Sequence, residues 1–220
     1  MKEIKKQLHL LMYRMPGTPI PHYELPEGYS ISCYRDESDI PAWQACLTPG
    51  LRADFEDRLV REHMGSVDLT EDIFFLDYHG EHIGTATAYH VRRISEERRL
   101  KVGTREVGHG RLHMVGIRPD FRGKGLSKYL NEIICRHFDE LDIPFAELTT
   151  DEGRPGALKS YIISGFRPVM DGSEGWEERW YAIMRQFGFD HLASYTEDGR
   201  FYRELCLPEG MKGDKKNEDR

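Results

Sequence analysis

The stretch His113-Met114-Val115-Gly116-Ile117-Arg118-Pro119-Asp120-Phe121-Arg122-Gly123-Lys124-Gly125-Leu126-Ser127 decides the reading of the fold. Leu112 to Ile117 is a short apolar run closed by Arg118-Pro119, which reads as a strand. A loop holding Gly123 and Gly125 follows. From Leu126 to Leu141, Leu126, Leu130, Ile133, Ile134, Phe138 and Leu141 recur at helical spacing, while Lys128, Glu132, Arg136 and Glu140 fall elsewhere. This is the clearest amphipathic helix of the chain.

A strand, a glycine loop and a helix start together predict an anion site. The first turn of a helix carries N–H groups without intrahelical partners, and the helix dipole adds positive potential there. Glycines remove Cβ atoms, so a diphosphate can approach the main chain. Arg122 and Lys124 add charge. Two other phosphate motifs fail. Lys124 has neither the upstream glycine nor the downstream hydroxyl of a P-loop, and Lys128 stands where a dinucleotide fingerprint needs its third glycine.

Working outward, residues 1–28 read as an irregular lead-in, with Pro16, Pro19, Pro21 and Pro26. Tyr29–Tyr34 predicts a strand. Pro41 predicts a helix start, and Ala53–Met64 a second helix ended by Gly65. Ile73–Leu76 and Ile83–Val91 predict a hairpin turned at Tyr78–His82. Arg92, Arg93, Arg98, Arg99, Lys101 and Arg105 stand with Glu96, Glu97 and Glu106. That segment is either a basic rim for a phosphorylated ligand or a solvated hairpin extension. Downstream, Pro144–Thr150 predicts a strand and Pro155–Ser164 a helix capped by Gly165. Phe166–Met170 and Trp180–Met184 predict strands, and Phe201–Leu205 an edge strand. The expected fold is α/β: one mixed, mostly antiparallel sheet flanked by helices, over residues 29–207, with a frayed polar tail at 208–220.

Composition narrows the function. The chain has 220 residues, 39% of them hydrophobic, which suffices for one sizeable core. Its net charge of −7 argues against a general nucleic-acid binder. No apolar run reaches the ~18 residues that span a bilayer. The N-terminal residues lack a signal-peptide cleavage pattern, so a cytoplasmic location is expected. Cys33, Cys46, Cys135 and Cys206 form no Cys-x-x-Cys pair and read as reduced, mostly buried thiols. His79 and His82 have no second pair to complete four ligands, and no metal is expected.

At this point the sequence resembles the GNAT superfamily of acyl-CoA-dependent N-acyltransferases. Their pyrophosphate loop, roughly Gln/Arg-x-x-Gly-x-Gly/Ala after a strand, falls on Arg122-Gly123-Lys124-Gly125, with Asp120 where Gln or Arg is usual. Their later helix ends in Tyr, three residues, then Gly-Phe, as Tyr161-Ile162-Ile163-Ser164-Gly165-Phe166 does here. Arg154 stands where that helix often has Asn. The resemblance covers about residues 29 to 185.

It implies a central parallel pair of strands, 112–117 and 145–150, that splay apart to admit the pantetheine arm. Acetyl-CoA is then the acyl-donor cosubstrate, held by Val115, Gly116, Ile117, Arg122, Gly123, Lys124, Gly125, Leu126, Ser127 and Arg154. Gly116 would mark a bulge opening the sheet. The acceptor would be a primary amine of a small molecule or peptide, attacking directly, and a homodimer would be in keeping with the family. Tyr161 takes the role of proton donor to the leaving thiolate, or is a packed helix tyrosine. Glu147 is a candidate base if burial raises its pKa, unless an arginine pairs with it or it sits at the sheet surface. His113, on the face of Val115 and Ile117, is a second candidate base, or a core histidine bonded to backbone. Asp151 is a candidate for a cationic substrate group, or a turn residue. Trp176 could shape an acceptor pocket. A non-catalytic acyl-CoA-binding module would share the loop, and Tyr161 separates the two readings.

Overall fold

The computed structural model describes residues 9–48, 50–51, 57–65, 69–90, 101–102, 105–106, 109–143 and 145–211. In chain order the elements are β1 Leu10–Arg14, β2 Tyr29–Cys33, α1 Ile40–Leu47, α2 Asp57–Met64, α3 Leu69–Asp72, β3 Ile73–Tyr78, β4 Glu81–His90, β5 Lys101–Val102 and β6 Arg105–Glu106. They continue with β7 His109–Ile117, α4 Ser127–Glu140, β8 Phe145–Thr150, α5 Pro155–Ile163, β9 Arg167–Met170, α6 Trp176–Phe187, β10 His191–Thr196 and β11 Phe201–Cys206. Nine strands form one sheet in the order β11-β10-β9-β1-β8-β7-β4-β3-β2. Among the described residues only β7–β8 and β9–β10 run parallel. β5 and β6 pair separately, and most of the Arg92–Glu106 segment lies outside the described residues.

Strand alternation sends side chains to two cores. On one face Phe74, Leu76, Leu112, Ala146 and Leu148 meet Leu130, Ile134 and Phe138 of α4 and Leu158 and Ile162 of α5. On the other, Ile73 and Phe75 meet Trp43 and Leu47 of α1 and Val60 and Met64 of α2. The two chemistry-bearing elements, the α4 start and α5, therefore share one face, with α1 opposite.

Two features open the sheet at its middle. The β7–β8 ladder runs only from His109↔Phe145 to Arg111↔Glu147. Beyond it, residues 112–117 and 148–150 form no ladder pairs with each other, while β8 stays paired with β1 as far as Leu10↔Thr150. On the other edge of β7, Thr85 faces Gly116 and Thr87 faces His113, so Ala86 opposes both Met114 and Val115. That is a bulge, with Met114 at φ 48. The bulge therefore lies at Met114–Val115, one step before the expected Gly116. Gly116 answers a different demand: a Cβ there would stand 2.5 Å from the Cys46 carbonyl oxygen, so α1 can close on β7 only over a glycine.

Two expectations about the chain ends need correction. Residues 10–14 are not an irregular lead-in but β1, inserted between β8 and β9. Leu10, Met12 and Tyr13 are all buried, and a strand covered on both faces shows no alternation. Trp180–Met184 is helix, not strand. Trp176, Trp180, Ile183 and Met184 are its buried stripe, Glu177 and Glu178 stand in the first turn, and Gly188 closes it at φ 75. The strand expected there is supplied instead by β10, whose centre Ser194 is buried and bonded to the Arg203 carbonyl. Phe201–Cys206 is an edge strand as expected.

Candidate active site

The loop between β7 and α4 is built by its glycines. Gly123 has φ 77 and Gly125 φ 68, a backbone region costly for any other residue. A Cβ added to either would meet nothing within 4 Å, so the concave side of the loop is open. α4 begins with Leu126 in the N-cap position and no side chain capping it. Its first N–H groups are therefore left for a ligand or solvent. This opening gives onto a cavity of about 600 Å³ lined by Gly123, Gly125, Ser127, Lys128, Gly156 and Lys159, among others.

α5 forms the opposite wall and is locked to α4 by a polar ladder. Ser127 Oγ donates to Ser160 Oγ at 2.9 Å, and Asn131 Nδ2 lies 2.9 Å from Ser160 Oγ and 3.0 Å from Ser164 Oγ. Asn131 is fully buried, so these bonds carry more weight than surface ones. They fix the width of the cavity at the end where the helix amides emerge. Ser127 is thus a positioning residue as well as a lining one.

A second cavity, also of about 600 Å³, lies where β7 and β8 part. The two share Val115, Gly116, Ile117, Arg122, Gly156 and Ala157, so they are the two ends of one cleft through the sheet. Arg122 Nε donates to the Ile117 carbonyl at 2.7 Å, and its guanidinium lies against Gly50 of the turn after α1. Arg154 extends a long hydrogen bond of 3.4 Å to the Leu51 carbonyl. The α1 turn is thereby tied from both walls of the cleft.

Tyr161 and His113 both line this second end. Burial pushes the Tyr161 phenol up to about 12, with Arg154 opposing weakly, so the hydroxyl keeps its proton at neutral pH. Burial pulls His113 down to about 4, and the Arg111 charge adds to this. The imidazole is neutral at pH 7. Its ring lies 5.5 Å from that of His63, itself stacked at 5.1 Å on Trp43. His113 is therefore part of an aromatic wall, with one side toward the cavity. Cys46 also lines the cavity, but burial raises its thiol to about 12 and makes it a poor nucleophile.

Four sequence-derived assignments change. Glu147 does not have a raised pKa. Burial pushes it up, but His109 at 3.2 Å and Arg111, whose Nε is 2.7 Å away, outweigh burial and lower it. A carboxylate held charged by two partners, and lining neither cavity, is unsuited to take a proton. Asp151 does not line the cleft either; its carboxylate sits 3.5 Å from Arg154 Nε. Lys124 turns its Nζ over the Phe121 ring at 4.8 Å and is absent from the cavity wall. Lys128 and Lys159 line it instead, and of these Lys128 turns its Nζ over the Tyr23 and Tyr129 rings at 4.6 and 4.9 Å, which leaves Lys159 as the cation. Trp176 is core: its Nε1 donates to the Val169 carbonyl at 2.8 Å.

Arg111 was missed. It stands at the last β7–β8 pair and lines the second cavity, a place that becomes visible only once the parting point of the strands is known. The cavity roles of Lys159 and Ser160 were also missed, although both stand directly before the second motif.

Comparisons with known proteins agree with this geometry. The family model described as the acetyltransferase (GNAT) family matches residues 34–166. A mycothiol acetyltransferase of Streptomyces coelicolor is 28% identical over 171 residues, 73% of this chain and 50% of that protein. One from Frankia casuarinae is 29% identical over 182 residues, covering 76% and 51%. The chain thus spans about half the length of the curated relatives it matches. A GCN5-related N-acetyltransferase from Sphaerobacter thermophilus superposes with a TM-score of 0.53 at 20% identity, over 73% of this chain and 48% of that one, a likeness of fold.

Proposed function

The chain belongs to the acetyltransferase (GNAT) family, and from that premise we propose that it transfers an acetyl group from acetyl-CoA to an amine. One observation carries the reading: the open glycine cradle at Gly123 and Gly125 sits at one end of a cleft that passes between two parted strands. The cradle fits a diphosphate, which takes backbone N–H groups and the helix dipole as partners. Lys159 adds countercharge at that end. The unpaired edge of β7 over Val115–Ile117 fits an amide-bearing arm laid alongside it as an extra strand.

Acetyl-CoA supplies the activated acyl group. In the transfer a C–N bond forms, the C–S bond breaks, the amine gives up a proton and the departing sulfur gains one. Tyr161, protonated by burial and facing the cleft, donates to the sulfur. A β7 amide near Val115, beside the bulge, is placed to stabilise the thioester oxygen as it becomes charged. The amine must arrive uncharged. The amine proton leaves through water in the cleft: burial disfavours the protonated form of His113, which stays neutral and orients the amine, while Glu147 stays paired and outside the reaction. The relatives named for mycothiol suggest a small-molecule acceptor.

The test is titration with CoA by calorimetry, followed by release of free thiol from acetyl-CoA across a panel of amines. CoA binding with amine-dependent thiol release is expected. No CoA binding overturns the proposal. Binding without turnover for any amine would leave a CoA-binding module in its place.

A further inference from the structure

The second end of the cleft carries an unusual charge pattern for this chain. Overall the protein has 38 acidic and 31 basic residues. Yet the described residues lining this cavity include Arg111, Arg122 and Arg154 and the histidines His9 and His113, and among them there is no Asp or Glu. Random sampling of so acidic a chain would not favour that result.

The way the arginines are held sharpens the point. Arg111 is gripped from one side: both Nε and Nη2 turn to the same oxygen, Oε1 of Glu147. Its Nη1 has no hydrogen bond among the described residues. Glu147 is buried, and it braces Arg111 without reaching the cavity itself. Arg154 repeats the arrangement. Asp151 stands behind it at 3.5 Å, Leu51 O takes a weak bond from Nη2, and Nη1 is free of described partners. Both side chains are partly exposed, about a quarter and a third. Guanidinium groups braced from behind, with edges left open, suit a carboxylate or phosphate. Arg122 differs, since it is spent on the Ile117 carbonyl at the junction of the two ends.

We infer that the acceptor is an amine that also carries an anionic group, a carboxylate or a phosphate, held by Arg111 and Arg154 while its nitrogen faces the cleft. This rests on the acetyl-transfer reading and deepens it. Polycationic acceptors would meet like charge on this wall and are excluded as good substrates. The acidic balance of the whole chain, which alone would suit cationic substrates, is misleading for this site.

The experiment uses the whole chain loaded with CoA, titrated calorimetrically with matched amines: O-phosphoethanolamine against ethanolamine, and glycine against glycinamide. At least one anionic member should bind roughly ten-fold or more tighter than its uncharged-tail partner, the difference that charge-assisted hydrogen bonds produce. The family resemblance sets Arg154 on the cofactor, but it lines only this end of the cleft, so Arg154→Gln should reduce that preference while CoA affinity stays the same. Arg111→Lys keeps a charge opposite Glu147 and serves where Arg111→Gln fails to fold; it should weaken the anionic member more than the neutral one. Equal or reversed preference within both pairs, or no binding by either anionic amine, overturns the inference. So does a loss of CoA affinity on Arg154→Gln, which would assign that arginine to the donor. Failure of CoA itself to bind the unaltered chain would instead remove the acetyl-transfer reading, so the two failures are distinguishable.

Discussion

The two ends of the cleft are built on different principles. At the α4 end the wall is main chain and small side chains: positive-φ glycines, an uncapped helix start, and serines tied to a buried asparagine. At the far end the wall is charged and aromatic side chains braced by partners behind them. On the proposed reading, the first end serves a constant ligand and depends on backbone shape, and the second serves a variable one and depends on which side chains stand there. The difference explains why one end is readable from a motif and the other is not.

The comparison breaks most sharply at Gly125. Gly125→Val puts a branched side chain at φ 68 and fills the open side of the cradle. Strain and lost amide contacts together should cost about 3 kcal/mol or more, a loss of ~100-fold or greater in CoA affinity. Calorimetry checks this, and a circular dichroism spectrum like that of the unaltered chain shows that the fold survives. Unchanged affinity would mean that the loop does not touch the donor.

Tyr161→Phe tests the boundary between the ends. Turnover should fall about 100-fold, within the range for a lost general acid, while CoA affinity holds. Thiol-release kinetics beside calorimetry separate the two quantities. A simple packing role would move the melting temperature and leave turnover nearly intact.

The contrast between motif and side chain also measures what the sequence makes legible. The strand–loop–helix core, β7 through α5, and the cradle glycines were readable because each step has a local cause: apolar spacing, a proline at a helix start, glycine where φ is positive. β1 was unreadable because a strand buried on both faces and placed centrally in the sheet looks like any short apolar run. α6 was misread for a weaker reason. Its apolar run Trp180–Met184 suggested a strand, yet Trp176, Trp180, Ile183 and Met184 already stood at helical spacing, with two acidic residues in the first turn and a glycine stop. Glu147 and Asp151 could not be judged from sequence, since their arginine partners are set by the Arg111↔Glu147 register and by the α5 start. Both carboxylates proved to be braces.

A smaller effect concerns the support of α1, which closes on Gly116. Asp39, buried at the start of α1, bonds Arg35 and lies 3.3 Å from His82 Nε2, while Asp77 holds the other ring nitrogen. Burial raises its pKa, but these partners more than offset that and hold it at about 2, against 3.8 when free. The group therefore contributes about 2 kcal/mol of stability, complete above roughly pH 4 and lost as the pH falls toward 2. Asp39→Asn should lower the melting temperature at pH 7 and lessen the fall between pH 4 and 2. Identical acid profiles for the two proteins would show that Asp39 is not the anchor.

The smallest effect sets two lysines against each other. Lys159 lines the donor end, and Lys124 lies over Phe121. Lys159→Ala should weaken CoA by about 1 kcal/mol at low salt, and Lys124→Ala by less than half of that. The reverse order would place Lys124 on the phosphates.

The most direct measurement compares CoA with pantetheine on the unaltered chain. Both carry the thiol arm, and only CoA carries the nucleotide and its diphosphate. The cradle predicts CoA binding about 100-fold or more tighter than pantetheine, with the gap shrinking as salt rises. Equal affinity for the two, or no binding of CoA, would contradict the account.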